Sequence, residues 1–153
     1  MGIFDTVKGW FNVDGGRVAI TRCDDPFPET SAIHRGGFVL SARRPCRVLG
    51  FSVALRAEWD GDDAEDPGGR VECGVAACTG EFDIGRSFPV ELRPGEDVDM
   101  GWCMVDVDIP DALRESGAPS DPARIKYSIA IAADVEGAAL EPTATREITV
   151  IAG

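Results

Sequence analysis

From residue 17 onward, short stretches of alternating apolar and polar residues recur along the chain, and clusters of Pro, Gly and Asp cut each one off. A period of two puts every second side chain on one face, which is the signature of a half-buried strand. Arg17–Arg22 alternates and stops at Asp24-Asp25-Pro26. Ala32–Ala42 reads as a strand whose pair Gly36-Gly37 offers a place for a bulge. From Arg47 onward, Val53, Leu55, Ala57 and Trp59 share one face, with Arg56 and Glu58 opposite. Further strands are expected at 71–78, 80–92, 98–109, 125–133 and 145–151, and only Asp111–Ser116 suggests a helical turn. The expected fold is an all-β, antiparallel immunoglobulin-like sandwich of about seven to nine strands, with a short N-terminal helix.

That helix is read from Met1–Phe11. Ile3, Phe4, Val7, Trp10 and Phe11 fall on one helical stripe, and Gly15-Gly16 ends it. The chain thus divides into an amphipathic segment, 1–13, and one sandwich domain, 14–153. The stripe either caps the domain's own core or docks on a partner. Gly2 and Thr6 also fit the short myristoylation pattern. No apolar run approaches the roughly 20 residues a membrane span needs, so no integral insertion is expected.

The charge balance removes further classes. Fifteen Lys plus Arg against 27 Asp plus Glu give a net charge of −12, which repels phosphate backbones and disfavours nucleic-acid binding. His34 is the one histidine, and a Ser-His-Asp or Cys-His mechanism would have to use it. Its neighbours look exposed and no nucleophile stands at a fixed spacing, so it reads as a rim histidine. Without a phosphate loop or a nucleophile elbow, no enzymatic activity and no cofactor are expected. The five cysteines, odd in number and without a C-x-x-C pair, read as reduced thiols of a cytoplasmic protein. Zinc on Cys73, Cys78 and Cys103 competes with their being small buried apolar groups.

Two clusters remain as candidate sites. Asp60, Asp62, Asp63, Glu65 and Asp66 make an oxygen-rich loop that could hold calcium, although Ala64 and Val71 break the EF-hand pattern. The other reading is a solvated hairpin. Arg43-Arg44 stands at a strand end, where a guanidinium pair can meet a partner's carboxylate or balance acids of its own domain. Asp97, Asp99, Asp106 and Asp108 read as a solvated face, with Val98 and Met100, and likewise Val105 and Val107, turned the other way.

Several of these runs resemble arrestin-like domains. Phe82-Asp-Ile-Gly-Arg-Ser-Phe-Pro-Val-Glu-Leu-Arg-Pro-Gly-Glu96 is similar to that group's apolar strand followed by x-Pro-Gly-Glu. Val107-Asp-Ile-Pro110 and Ile125-Lys-Tyr-Ser-Ile-Ala-Ile-Ala-Ala-Asp134 resemble its next two steps, and Glu141–Val150 fits the order. Arg17–Arg22 and Phe27-Pro-Glu-Thr30 resemble its first strand and turn. The nearest type is the bacterial and archaeal sporulation-control family, whose members also begin with a short apolar segment. Arrestin-type proteins usually carry two sandwiches, and this chain has the length of one. The resemblance implies a non-catalytic regulatory or scaffolding domain that binds proteins. Its expected contacts are the strand edges, which also permit a homodimer, and Phe4, Val7, Trp10, Phe11, Arg43 and Arg44.

Overall fold

A computed structural model describes residues 16–23, 26–63, 66–138 and 140–152. The two longest alternating runs give the two halves of the fold. Strand β3 (Thr30–Ala42) lies between β1 (Gly16–Cys23) and β9 (Asp97–Asp108), antiparallel to both. Strand β4 (Cys46–Asp63) is the backbone of a second, five-stranded sheet. Strand β10 (Ile125–Val135) pairs along one side of it and is followed by β11 (Thr143–Ile148). On its other side lie β5 (Asp66–Cys78) and β8 (Val90–Leu92), the latter opposite Cys46–Val48.

The alternation predicts which face is buried, and it does so on both sheets. Phe38 and Leu40 of β3, with Val98, Met100 and Met104 of β9, are buried on one side. Val53, Leu55 and Ala57 of β4, with Ile129, Ile131 and Ala133 of β10, are buried on the other. Nearly all of them join one core. Arg56 pairs in register with Ser128 and Glu58 with Lys126, on the face turned away from that core. The architecture is mostly β and sandwich-like.

Three strand expectations need correction. The bulge is on β1, where the register slips between Ile20 and Arg22; β3 keeps an unbroken register with β9 through Gly36 and Gly37. Gly36 serves another purpose, because a Cβ there would lie 2.3 Å from the Trp102 indole. Segment 80–92 is not one strand. It folds into a hairpin of β6 (Glu81–Asp83) and β7 (Arg86–Ser87) before β8, since Gly85 takes a φ of +72° at the turn. Finally, Val105 and Val107 do not share a face. Asp106 adopts a φ of +54°, which breaks the alternation, so Val107 is buried while Val105 is 62% exposed.

Beyond β9 the chain turns into helix α1 (Ile109–Ser116). The Asp108 carboxylate accepts from the Asp111 N–H at 2.9 Å, which caps the start of the helix. Pro110 occupies the first turn, and Gly117 closes the end in the left-handed region. The helical turn read from Asp111–Ser116 is this helix. After β11, β12 (Val150–Ile151) runs parallel to β2 (Phe27–Pro28), with Phe27 N–H donating to Thr149 O at 2.7 Å. Among the described residues no helix is long and apolar enough to cross a membrane.

Candidate functional site

Among the described residues β9 ends the three-stranded sheet, so its backbone forms an edge twelve residues long. Long edges invite pairing with another strand, and charged side chains restrain it. Asp97, Asp99, Asp106 and Asp108 are all exposed along this strand, as expected. Val105 keeps the outward phase of Gly101 and Cys103 and lies directly opposite Ile33, which is 46% exposed. A cross-strand apolar pair thus stands open beside acidic groups. Further along the same register, Arg35 of β3 lies opposite Cys103 of β9.

An open hollow of about 500 Å³ lies beside this pair, lined by Arg35, Cys103, Trp102, Cys23, Gly36 and Gly101. Phe82 of the hairpin also lines it. An aromatic chain fixes Phe82 from behind: its ring is 4.8 Å from Phe88, which is 5.9 Å from Phe51, which is 4.8 Å from Phe38. The Arg86 guanidinium lies over the Phe82 ring, 5.3 Å from its centroid. A cation in that position is attracted by the face of the ring.

His34 is not on the rim. It is 1% exposed and stacks on Phe27, ring centroids 3.5 Å apart and 18° from parallel. The parallel β2–β12 pair brings Phe27 over β3 and covers the imidazole. Its sequence neighbours look exposed because Ala32 and Ile33 do face outward, just where the β3 alternation slips.

The Arg43-Arg44 pair is exposed between β3 and β4. It stands at the opposite end of β3 from Ile33, about 30 Å away at ~3.3 Å per residue. The structure therefore does not bring the arginine pair and the apolar pair together. Close to the arginines in the chain, Arg47 and Glu136 form a half-exposed ion pair at 3.2 Å. Ion pairs of this kind add little stability.

Asp60 is exposed on the extension of the β4–β5 hairpin, and its carbonyl accepts from the Arg124 guanidinium at 2.8 Å. Asp63 and Asp66 pair across the hairpin end. The side chains of Asp62, Asp63 and Asp66, and the whole of Glu65, lie outside the described residues. Among the described residues no three His, Cys, Asp or Glu side chains come together as metal ligands, so Cys73, Cys78 and Cys103 form no zinc set. None of the five cysteines is in a disulfide. Burial pushes the Cys73 thiol up to about 11. Tyr127 is raised chiefly by burial and then by Cys73 and Glu29, and Cys46 is raised by burial as well. Phe4, Val7, Trp10 and Phe11 lie outside the described residues.

The open hollow and the His34–Phe27 stack escaped the sequence reading. The signal for the first was present in Gly36-Gly37 and Gly101, glycines inside two paired strands, where such residues often mark close backbone approach.

No protein-family model matches this sequence, and no curated protein matches it. Among solved structures, the chain is similar to the crystal structure of Spo0M, a sporulation control protein from Bacillus subtilis, with a TM-score of 0.66 and 11% identity. The match covers 91% of this chain and 50% of that one, so the chain spans about half the length of the structure it resembles. At this identity the likeness is one of fold.

Proposed function

We propose that this chain is a non-catalytic regulatory or scaffolding domain of the arrestin-like, sporulation-control type, working in the cytoplasm by binding proteins. The observation that carries the reading is the β9 edge with its outward pair Ile33 and Val105. An added strand would take backbone hydrogen bonds from that edge, and the pair supplies an apolar anchor beside it. The flanking aspartates select a partner strand with basic residues, and the same charges on a second copy oppose edge-to-edge pairing of two copies. The fold-level likeness to a sporulation control protein supports the regulatory class. The apolar stripe Phe4, Val7, Trp10 and Phe11 serves as the second contact, since buried aromatic groups dominate interface energies.

Affinity capture from the source cell's lysate tests this with three full-length chains: unaltered, Ile33→Lys/Val105→Lys, and Phe4→Ser/Trp10→Ser. We expect the unaltered chain to retain a partner and each variant to retain at least tenfold less of it, with folding checked by circular dichroism. Equal retention by all three folded chains would exclude both contacts.

A further inference from the structure

We infer that the outer face of the five-stranded sheet is a self-association surface, on which a second copy of this chain packs face to face about a twofold axis running across the strands. This contact is separate from the β9 edge, which belongs to the other sheet, and it goes beyond the partner binding proposed there. Its first support is relief. Residues directly opposite on β10, β4 and β5 share a face. Ala130, Ala54 and Val75 lie side by side on the outer one, and Ala132, Ser52 and Ala77 form the next row. In the other direction the rows are Ser128, Arg56 and Glu72, then Lys126, Glu58 and Arg70. One half of the face is low and the other carries long side chains, and all twelve are exposed or half-buried.

A twofold contact must be self-complementary. With the axis between the Arg56 row and the Ala54 row, each strand lies over the same strand of the second copy, in the opposite direction. Arg56 then meets the second copy's Ala54, Glu72 its Val75, Glu58 its Ser52 and Lys126 its Ala132. Sheets packed face to face stand about 10 Å apart, and long side chains against short ones fill that gap evenly. The second support is charge. The chain carries −12 overall, yet on this face Arg56, Lys126 and Arg70 are matched by Glu58, Glu72 and, on β11, Glu147 opposite Ser128. Arg56 and Glu72 stand 3.9 Å apart. A second copy therefore meets a neutral surface, and in this pairing no charged side chain of these rows lies over one of like sign. The third support is area. Four strands about 4.8 Å apart and four rows about 6.7 Å apart give roughly 500 Å² per copy, or ~1,000 Å² for the pair, where specific interfaces begin. Such a contact makes a weak, reversible dimer.

Sedimentation equilibrium on the full chain, from micromolar to millimolar concentration, tests this. We expect a monomer–dimer equilibrium. Ala54→Arg sets a second guanidinium against the second copy's Arg56 and should weaken the dimer about tenfold or more. Ala54→Glu meets the same Arg56 with the opposite charge and should weaken it less. Ala132→Lys, over the second copy's Lys126, should act as Ala54→Arg does, and it decides if Ala54→Arg fails to fold. Ile33→Lys/Val105→Lys and Phe4→Ser/Trp10→Ser should leave the dimer unchanged. Its loss in either of those chains would put self-association at the β9 edge or the N-terminal stripe and overturn the assignment. A monomer at every concentration would overturn it too, as would an undiminished dimer in folded Ala54→Arg or Ala132→Lys.

Discussion

Gly36→Val is expected to lower the free energy of unfolding by about 3 kcal/mol, at the upper end of what overpacking usually costs. The first atom of the new side chain would lie 2.3 Å from one indole carbon of Trp102 and 2.5 Å from the next. Neither side can give way easily. Gly36 is fixed by register on both sides, opposite Cys23 of β1 and Trp102 of β9, and Trp102 is only 6% exposed. Trp102→Leu should itself cost about 3 kcal/mol through the volume it removes, yet it also opens the space that valine needs. The double variant is therefore expected to lose roughly 1 to 3 kcal/mol less than the two single losses added together, a coupling of the size seen for residues in contact. Urea unfolding of the four proteins measures this. Strict additivity would mean that the indole does not lie on Gly36.

The second large effect separates two neighbouring residues of β4. Leu55 is fully buried at the centre of the five-stranded sheet, opposite Ile129 on one side and Gly74 on the other. Leu55→Ala should cost about 2–5 kcal/mol, the transfer of the lost atoms plus the cavity they leave. Ala54, one position earlier, faces away from the core and pairs with Ala130 and Val75. Ala54→Ser should change stability by about 0.5 kcal/mol or less. Denaturant midpoints report both. A large loss at 54 with little at 55 would indicate a register shifted by one residue, because such a slip exchanges the two faces of every strand.

These two tests also mark how far the sequence could be read. The buried face of β4 was legible because Val53, Leu55 and Ala57 alternate with polar partners over a long run, and a period of two admits one solution. The helix after β9 was legible only as a short turn at Asp111–Ser116; Ile109 and Pro110, read as strand end, form its first turn behind the Asp108 cap. What local pattern could not reveal was contact between distant segments. His34 is covered by Phe27 because residues 150–151 hold β2 in place, and nothing near position 34 announces that. Trp102 lies over Gly36 although the two are far apart in the chain. The alternation itself failed at Asp106, where a single left-handed residue reverses the phase and turns Val107 inward, away from the face of Val105. Val105 lies just before that break, in the outward phase of β9, opposite Ile33.

The arginine pair shows the converse. Arg43 and Arg44 stood out because they are the densest basic group in an acidic chain, and they are indeed exposed. Position along β3, not charge, separates them from Ile33 and Val105. A partner strand of about six residues laid on the β9 edge at Val105 covers about 20 Å and stops short of them.

Amide hydrogen exchange on the full chain, alone and bound to the protein it captures, distinguishes these surfaces without any substitution. Slowed exchange on binding is expected along 97–108, centred near Val105, and in segment 1–13, with 43–44 unchanged. Protection confined to the 43–47 region, or to the outer face of the five-stranded sheet, would contradict the proposed mode of binding. The β9 edge and the N-terminal stripe would then not be the contacts through which this domain acts.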